Sequence, residues 1–403
     1  MLVWYNHPMN SQSFKKTSSL YFLFGLFFFE LIAANLAHPA TPTLIVERGL
    51  PSSTFGLAFA AMSLGSFLFS PLWSFLNDRI GRVHVFAIGC YGYALGQTMF
   101  LFATQLWLIV LARFIAGVFV GGVMMTQLVL ILDHSMNSDR AMNLSIHATL
   151  FTLGGALGYL IGGYLADIDL HLMFVIQIIA LVSTGLLMHC FFKGIDVSTI
   201  IEKSSSFNPL RFFNIVIRIK PLEFTLFSVV VLLSMMGTVA FDQIFNFYLK
   251  DQLLFPASMN GLIKATFGVM SLLVNMTLGR LIIQRKWFKF PLSIVLIVTS
   301  FIALVLVFLR DFNLFMILSI SFFILNSLYL ILVQVYSGHM SAFASNATVM
   351  GLYNAIRSLG MVLGSFLAGQ LYQINISSSF AFSSLSLGIA ATFFMFAVMQ
   401  KKV

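Results

Sequence analysis

The sequence predicts an all-α membrane protein with twelve transmembrane helices in two pseudosymmetric six-helix bundles. Three observations predict it. The 403-residue chain is 59% hydrophobic and only 9% charged, whereas soluble globules are about 45–50% apolar and about a quarter charged. Apolar runs of about 20 residues, the length that crosses a bilayer, recur from end to end. One long polar segment, 193–221, separates a first set of six runs from a second.

Taken in order, the first span covers 18–45, follows Lys15 and Lys16, and carries Glu30. Its length, its acid and the runs that follow set it apart from a cleaved signal peptide. The second span, 54–76, ends at the charged turn that leads into the third, 83–103. The fourth, 105–132, contains Arg113 and ends at Asp133. The fifth, 143–165, is rich in glycine, and the sixth, 172–192, runs into the polar segment. The second set covers 222–248, 258–283, 288–309, 314–337, 348–372 and 379–399. The expected units are thus a bundle at 1–192, a cytoplasmic linker at 193–221 and a bundle at 222–403.

Lysine and arginine give the orientation, because they accumulate on the cytoplasmic side of spanning helices. With both termini cytoplasmic, 16 of the 22 cations fall in cytoplasmic segments. These include Arg79 and Arg82, Arg140, five in the linker, and Arg280, Arg285, Lys286 and Lys289. Only Arg48, Lys250 and Arg310 fall on the other side. This distribution also accounts for the net charge of +9 without a nucleic-acid partner, since no basic patch alternates with exposed aromatics. A shift of about 204 residues lays the 74–83 turn on the basic segment 280–289, and the glycines near Gly158 on Gly360 and Gly364. Weak internal repetition of this kind is typical of secondary transporters.

The turn between the second and third spans reads Ser74-Phe75-Leu76-Asn77-Asp78-Arg79-Ile80-Gly81-Arg82-Val83. It resembles the G-x-L-x-D-R-x-G-R-[KR] signature of the major facilitator superfamily, with Ser74 for the first glycine and Val83 for the final basic residue. Three further stretches resemble the twelve-helix drug:proton antiporter branch. Pro39 and Pro42 match its P-x-x-P. Arg113 and Gly117 match its R-x-x-x-G. Gly154, Gly158, Gly162 and Gly163 match its G-x-x-x-G-P-x-x-G-G, with Tyr159 in place of the proline.

The resemblance implies alternating access, with a cytoplasmic gate formed by Asp78, Arg79, Gly81 and Arg82. Independently of it, an aspartate at a helix end can accept hydrogen bonds from a neighbouring helix N-terminus, and arginines can pair with acids at other helix ends. Asp133 is the expected acidic partner. The arginines alone could serve only to fix topology, a role that leaves Asp78 unexplained. The glycines at spacing four allow close helix approach. They serve either as plain packing or as a pivot between the halves.

Ionisable groups at bilayer depth are costly, and they face a partner or a wet cavity. Burial favours the neutral form of a carboxyl group, and a nearby cation favours the charged form. A carboxyl group between the two can take a proton from one side and release it to the other. Glu30, with Ala33, Ala34, Ala37 and Thr41 on its helical face, is the first candidate for that role. Arg113 is expected to tune or pair with it. Asp242 is a second protonation site, an anchor for a cation, or a residue of the extracellular interface. Lys264 is expected to reach outward to that interface. Asn35, His38, Gln127, Asn246, Asn354 and Arg357 are candidates to line the substrate cavity, or alternatively to bond helices together.

Cys90 and Cys190 lie inside apolar runs and support neither a disulfide framework nor a metal site. No phosphate-binding loop, nucleophile elbow or zinc spacing occurs. No cofactor, no metal and no enzymatic activity are therefore expected. The expected function is secondary transport in the plasma membrane by a monomer, with protons, a small molecule and the lipid bilayer as partners. Proton-coupled export of a small amphipathic compound leads. An uptake symporter or uniporter, a lipid flippase and a non-transporting receptor are the alternatives.

Overall fold

A computed structural model describes residues 11–136, 139–192, 222–284, 289–309, 311–339 and 346–399. The linker 193–221, the basic turn 285–288, Arg310, Lys401 and Lys402 lie outside the described residues, as do the side chains of Lys15, Lys16 and Arg140.

The regular elements among the described residues are all helices, with no strand among them. The first set comprises α1 (Ser11–Asn35), α2 (Thr41–Glu47), α3 (Thr54–Arg79), α4 (Arg82–Phe102), α5 (Leu106–His134), α6 (Arg140–Ile168) and α7 (Leu170–Phe192). The second comprises α8 (Leu222–Asp251), α9 (Ala257–Val274), a π-helical turn (Asn275–Gly279), α10 (Arg280–Gln284), α11 (Lys289–Phe308), α12 (Phe312–His339), α13 (Asn346–Ile374) and α14 (Ile376–Met399). Ten of these segments are long and apolar enough to cross a membrane, and the apolar part of α1, Leu20–Asn35, is shorter. α13 does not join them on composition but packs among them, against α3 and α8.

Two expected rods are interrupted. The first span breaks at 36–40, and the chain resumes as α2 with Pro42 in its first turn. Proline lacks the N–H that a helix interior needs but fits a helix start. The eighth span contains the π turn, which α9 and α10 flank. Pro71 lies inside α3 without ending it.

The packing scheme of the first set repeats in the second. α1 packs on α6 and α7, α3 and α4 on α5, and α4 on α7. Correspondingly, α8 packs on α13 and α14, α9 and α11 on α12, and α11 on α14. Between lipid-solvated helices the drive to associate is van der Waals contact, so small residues mark the seams. A Cβ on Gly158 would lie 2.5 Å from the Ile32 carbonyl oxygen of α1, and one on Gly360 2.8 Å from the Leu232 carbonyl oxygen of α8. The seam predicted from sequence therefore recurs in both sets.

The sets meet along α6–α9 and α3–α13. Both seams close on paired glycines at the end of the bundle that carries Gly49. A Cβ on Gly56 of α3 would lie 2.7 Å from the Cα of Gly369, and one on Gly261 of α9 3.3 Å from the Cα of Gly163. At the same end Asp167 accepts hydrogen bonds from the backbone N–H groups of Ala257 (2.8 Å) and Ser258 (3.1 Å), capping α9 from the other set.

Candidate functional site

At the Gly81 end, α3 stops at Arg79 and α4 starts at Arg82. Gly81 makes the corner with φ +88°, in the left-handed region that only glycine enters at no cost. The turn throws Arg82 across to α5, where its Nε donates to Asp133 Oδ2 at 2.9 Å. Its Nη1 donates to the Asn77 carbonyl at 3.1 Å, and Asp78 faces its Nη2 at 3.6 Å. Arg79 instead lies over the Phe75 ring. The structure thus brings Asp78, Gly81, Arg82 and Asp133 together, entirely within the first set. Val83, where the signature has a basic residue, is buried beside Leu20 and Phe86.

A second cluster lies deeper. Glu30 of α1 is fully buried. Its Oε2 accepts from Gln127 Nε2 of α5 at 2.7 Å, while Oε1 has no hydrogen-bond partner. Gln127 Oε1 lies 2.9 Å from His147 Nε2 of α6. Because the amide donates to the carboxylate, its oxygen is the acceptor, so His147 carries the proton on Nε2 in this arrangement. His147 meets the Phe27 ring edge-on. The chain Glu30–Gln127–His147 ties three helices together, and the sequence reading had singled out only two of its members.

A third cluster lies toward the Gly49 end, where a cavity of about 20 Å³ is lined by both sets of helices, including His38, Thr41, Phe55, Arg113, Tyr159 and Asn246. Its size admits one water and is far below the roughly 300–1,000 Å³ of a drug-sized pocket. Arg113 Nη2 donates to Thr41 Oγ1 at 2.7 Å, and the guanidinium lies 3.7 Å over the Phe100 ring. The His38 and Tyr159 rings stack with centroids 5.6 Å apart. Tyr159 thus puts an aromatic wall where the resembling motif has proline. Asn246 Oδ1 accepts from Asn260 Nδ2 at 2.6 Å, and Asn260 also reaches the Pro39 carbonyl of the other set at 3.4 Å.

Several expected contacts do not form. Arg113 does not pair with Glu30: it sits 14 residues from Gln127 on α5, which is ~21 Å along the axis. Lys264 does not reach outward. It forms an ion pair with Asp242 and lies 4.4 Å over the Phe323 ring, so Asp242 is a partnered residue inside the second set. Asn35 donates to the Leu31 carbonyl of its own helix at 2.7 Å, Gln127 belongs to the Glu30 cluster, and Asn354 is exposed. Arg357 turns a buried Nε inward without a hydrogen-bond partner. Gly154 and Gly158 receive α1 and Gly162 receives Leu36 just beyond it, whereas Gly163 meets Ala257 and Ser258 of α9. Thr41, His147, Tyr159 and Asn260 went unread as site residues. For Tyr159 the signal was its departure from the motif, and for His147 a titratable group within a span.

A sequence profile described as Major Facilitator Superfamily matches residues 23–365. The quinolone resistance protein NorA of Staphylococcus aureus (strain COL) is 24% identical over 383 residues, covering 92% of each chain. Multidrug resistance protein 1 of Bacillus subtilis (strain 168) is 22% identical over 395 residues, covering 94% of this chain and 96% of its own. Among solved structures, the nucleoside transporter NupG superposes with a TM-score of 0.75 at 14% identity, over 93% of this chain and 98% of its own. A bacterial homologue of the human lysosomal transporter Spinster, inward-facing and occupied, gives 0.75 at 15% identity, over 95% and 97%. With the Asp78–Arg82 turn, the repeated packing scheme and a profile match over most of its length, this chain belongs to the Major Facilitator Superfamily and is a membrane transporter, not an enzyme.

Proposed function

We propose that the protein exports a small amphipathic compound across the plasma membrane in exchange for protons. It would work as a monomer by alternating access, with the units 1–192 and 222–403 rocking about the cavity and both termini in the cytoplasm. The observation that carries this reading is Glu30: a fully enclosed carboxyl group with one oxygen held by Gln127 and the other unpartnered. Loading a proton there removes a charge from low dielectric and changes what Gln127 can bond to, which gives the two protonation states different preferred packings. The resistance names of the two relatives favour export. The Arg82–Asp133 cluster supports a gate at the cytoplasmic face, and the excess of Lys and Arg on that side supports the orientation.

The test is flux in proteoliposomes under an imposed pH gradient. A gradient of one unit supplies about 1.4 kcal/mol per proton. Export predicts that substrate moves against the proton flow, and that Glu30→Gln, inserted normally, loses the acceleration by the gradient. Movement of substrate with the protons would instead identify an uptake symporter, and an unchanged response in Glu30→Gln would remove Glu30 from the coupling.

A further inference from the structure

We propose that the cavity at Arg113 receives the anionic group of its substrate, so that the transported compound is an organic acid with an apolar body. The proposal deepens the transport reading and rests on it for the site, but not for the proton coupling.

The charges inside the bundle carry it. Arg113 is 3% exposed and lines the cavity. No carboxylate among the described residues lies within ion-pair distance of it. Its hydrogen bond to Thr41 engages one of the five N–H donors of a guanidinium, and Phe100 occupies one face of the group, not its edge. The other donors belong to a side chain that lines the cavity, and a guanidinium is a planar fork whose geometry suits a carboxylate. The carboxylate of the second set that stands nearby, Asp242, is already neutralised by Lys264. Glu30 is bound to Gln127, about four turns along α5 from Arg113, and His38 adds no negative charge in either protonation state. The cavity therefore presents one uncompensated cation in a low-dielectric enclosure. A cationic ligand would be repelled there, while an anionic one would supply the missing partner. Phe55, Phe59, Phe247 and Tyr159 around it provide apolar and aromatic surface for the rest of such a molecule. The closed cavity has room only for a water, so the acid enters while the sets stand further apart.

Three ligands that share one ring system and differ only in charge decide the matter: 1-naphthoate, 1-naphthamide and 1-naphthylmethylamine. They are added at matched concentrations to the purified protein at pH 7, without a gradient, and the melting temperature is read. Naphthoate should raise it and the other two should not. Arg113→Gln should weaken the apparent affinity for naphthoate by about tenfold or more, as expected for lost hydrogen bonds to a charged group, and Thr41→Val should weaken it less. Equal shifts from all three ligands, no shift included, would overturn the proposal. So would a larger shift from the amine, or an undiminished naphthoate response in Arg113→Gln. If that variant fails to fold, the comparison of the three ligands on the native protein still decides. Because no gradient is present, failure here leaves the coupling role of Glu30 standing, and failure of proton-driven flux leaves the charge preference standing.

Discussion

Arg82 holds two aspartates at once, Asp133 by a 2.9 Å hydrogen bond and Asp78 at 3.6 Å. Arg82→Ala would leave two like charges facing each other at the end of three helices. It should lower the melting temperature more than Arg79→Ala does, since Arg79 only overlies Phe75. The residue-level expectations were legible where depth alone sufficed. Arg82 and Asp133 both sit at helix ends on one side, so a pairing could be read from the sequence. The supposed Glu30–Arg113 pair fails for the same arithmetic: Glu30 meets α5 at Gln127, in the half that ends beside the Gly81 turn, whereas Arg113 lies in the half that enters from the Gly49 end. Lys264 was misread because distance to a helix end says nothing about which way a side chain turns, and Asp242 gave it a nearer partner than water. At the same scale, Lys264→Met should leave Asp242 as an uncompensated carboxylate. Such a change costs about 3–5 kcal/mol for a fully buried pair and less here, because Asp242 is about a third exposed. The matched change Asp242→Asn with Lys264→Met should recover most of the lost melting temperature.

Apart from α1, which begins at Ser11 and not at 18, helix boundaries were legible to within a few residues, because each rod must bridge a fixed thickness of hydrocarbon. The breaks within the rods were not. The apolar run continues through 36–40, and only Pro39 and Pro42 mark the interruption. The π turn at Asn275–Gly279 has no composition of its own, and such turns concentrate at functional positions. Seams between rods follow from glycine placement, but their partners do not. Gly117 of α5 faces the backbone of Met62 on α3, with a built Cβ 2.6 Å from the Met62 carbonyl carbon, while Gly25 meets nothing within 4 Å. Gly117→Ala should therefore destabilise by about 1–3 kcal/mol, the usual range for overpacking, and Gly25→Ala should not. Melting temperatures of the two variants in detergent check this.

For the whole molecule, the contacts described between the sets gather at the Gly49 end: the two glycine seams, the Asp167 cap on α9, and the Phe55 ring stacked on Phe247 at 4.7 Å. Removing the cap costs about 0.5–2 kcal/mol, so Asp167→Ala should shift the population toward an arrangement open at that end by roughly 2- to 30-fold. The readout is labelling of Ala58→Cys, a buried cavity position, by a membrane-impermeant thiol reagent. Cys190 is replaced by serine, and buried Cys90 stays silent. Labelling should be faster with Asp167→Ala than without it. The two glycine seams carry one more implication. Gly56 and Gly261 stand about 205 residues apart in the chain, as do Gly163 and Gly369, so each crossing point is the echo of the other. A hinge plate with matching knuckles on both leaves turns only as a unit. Adding a single methyl group to one knuckle should jam both, and the door at that end would then stand ajar instead of swinging.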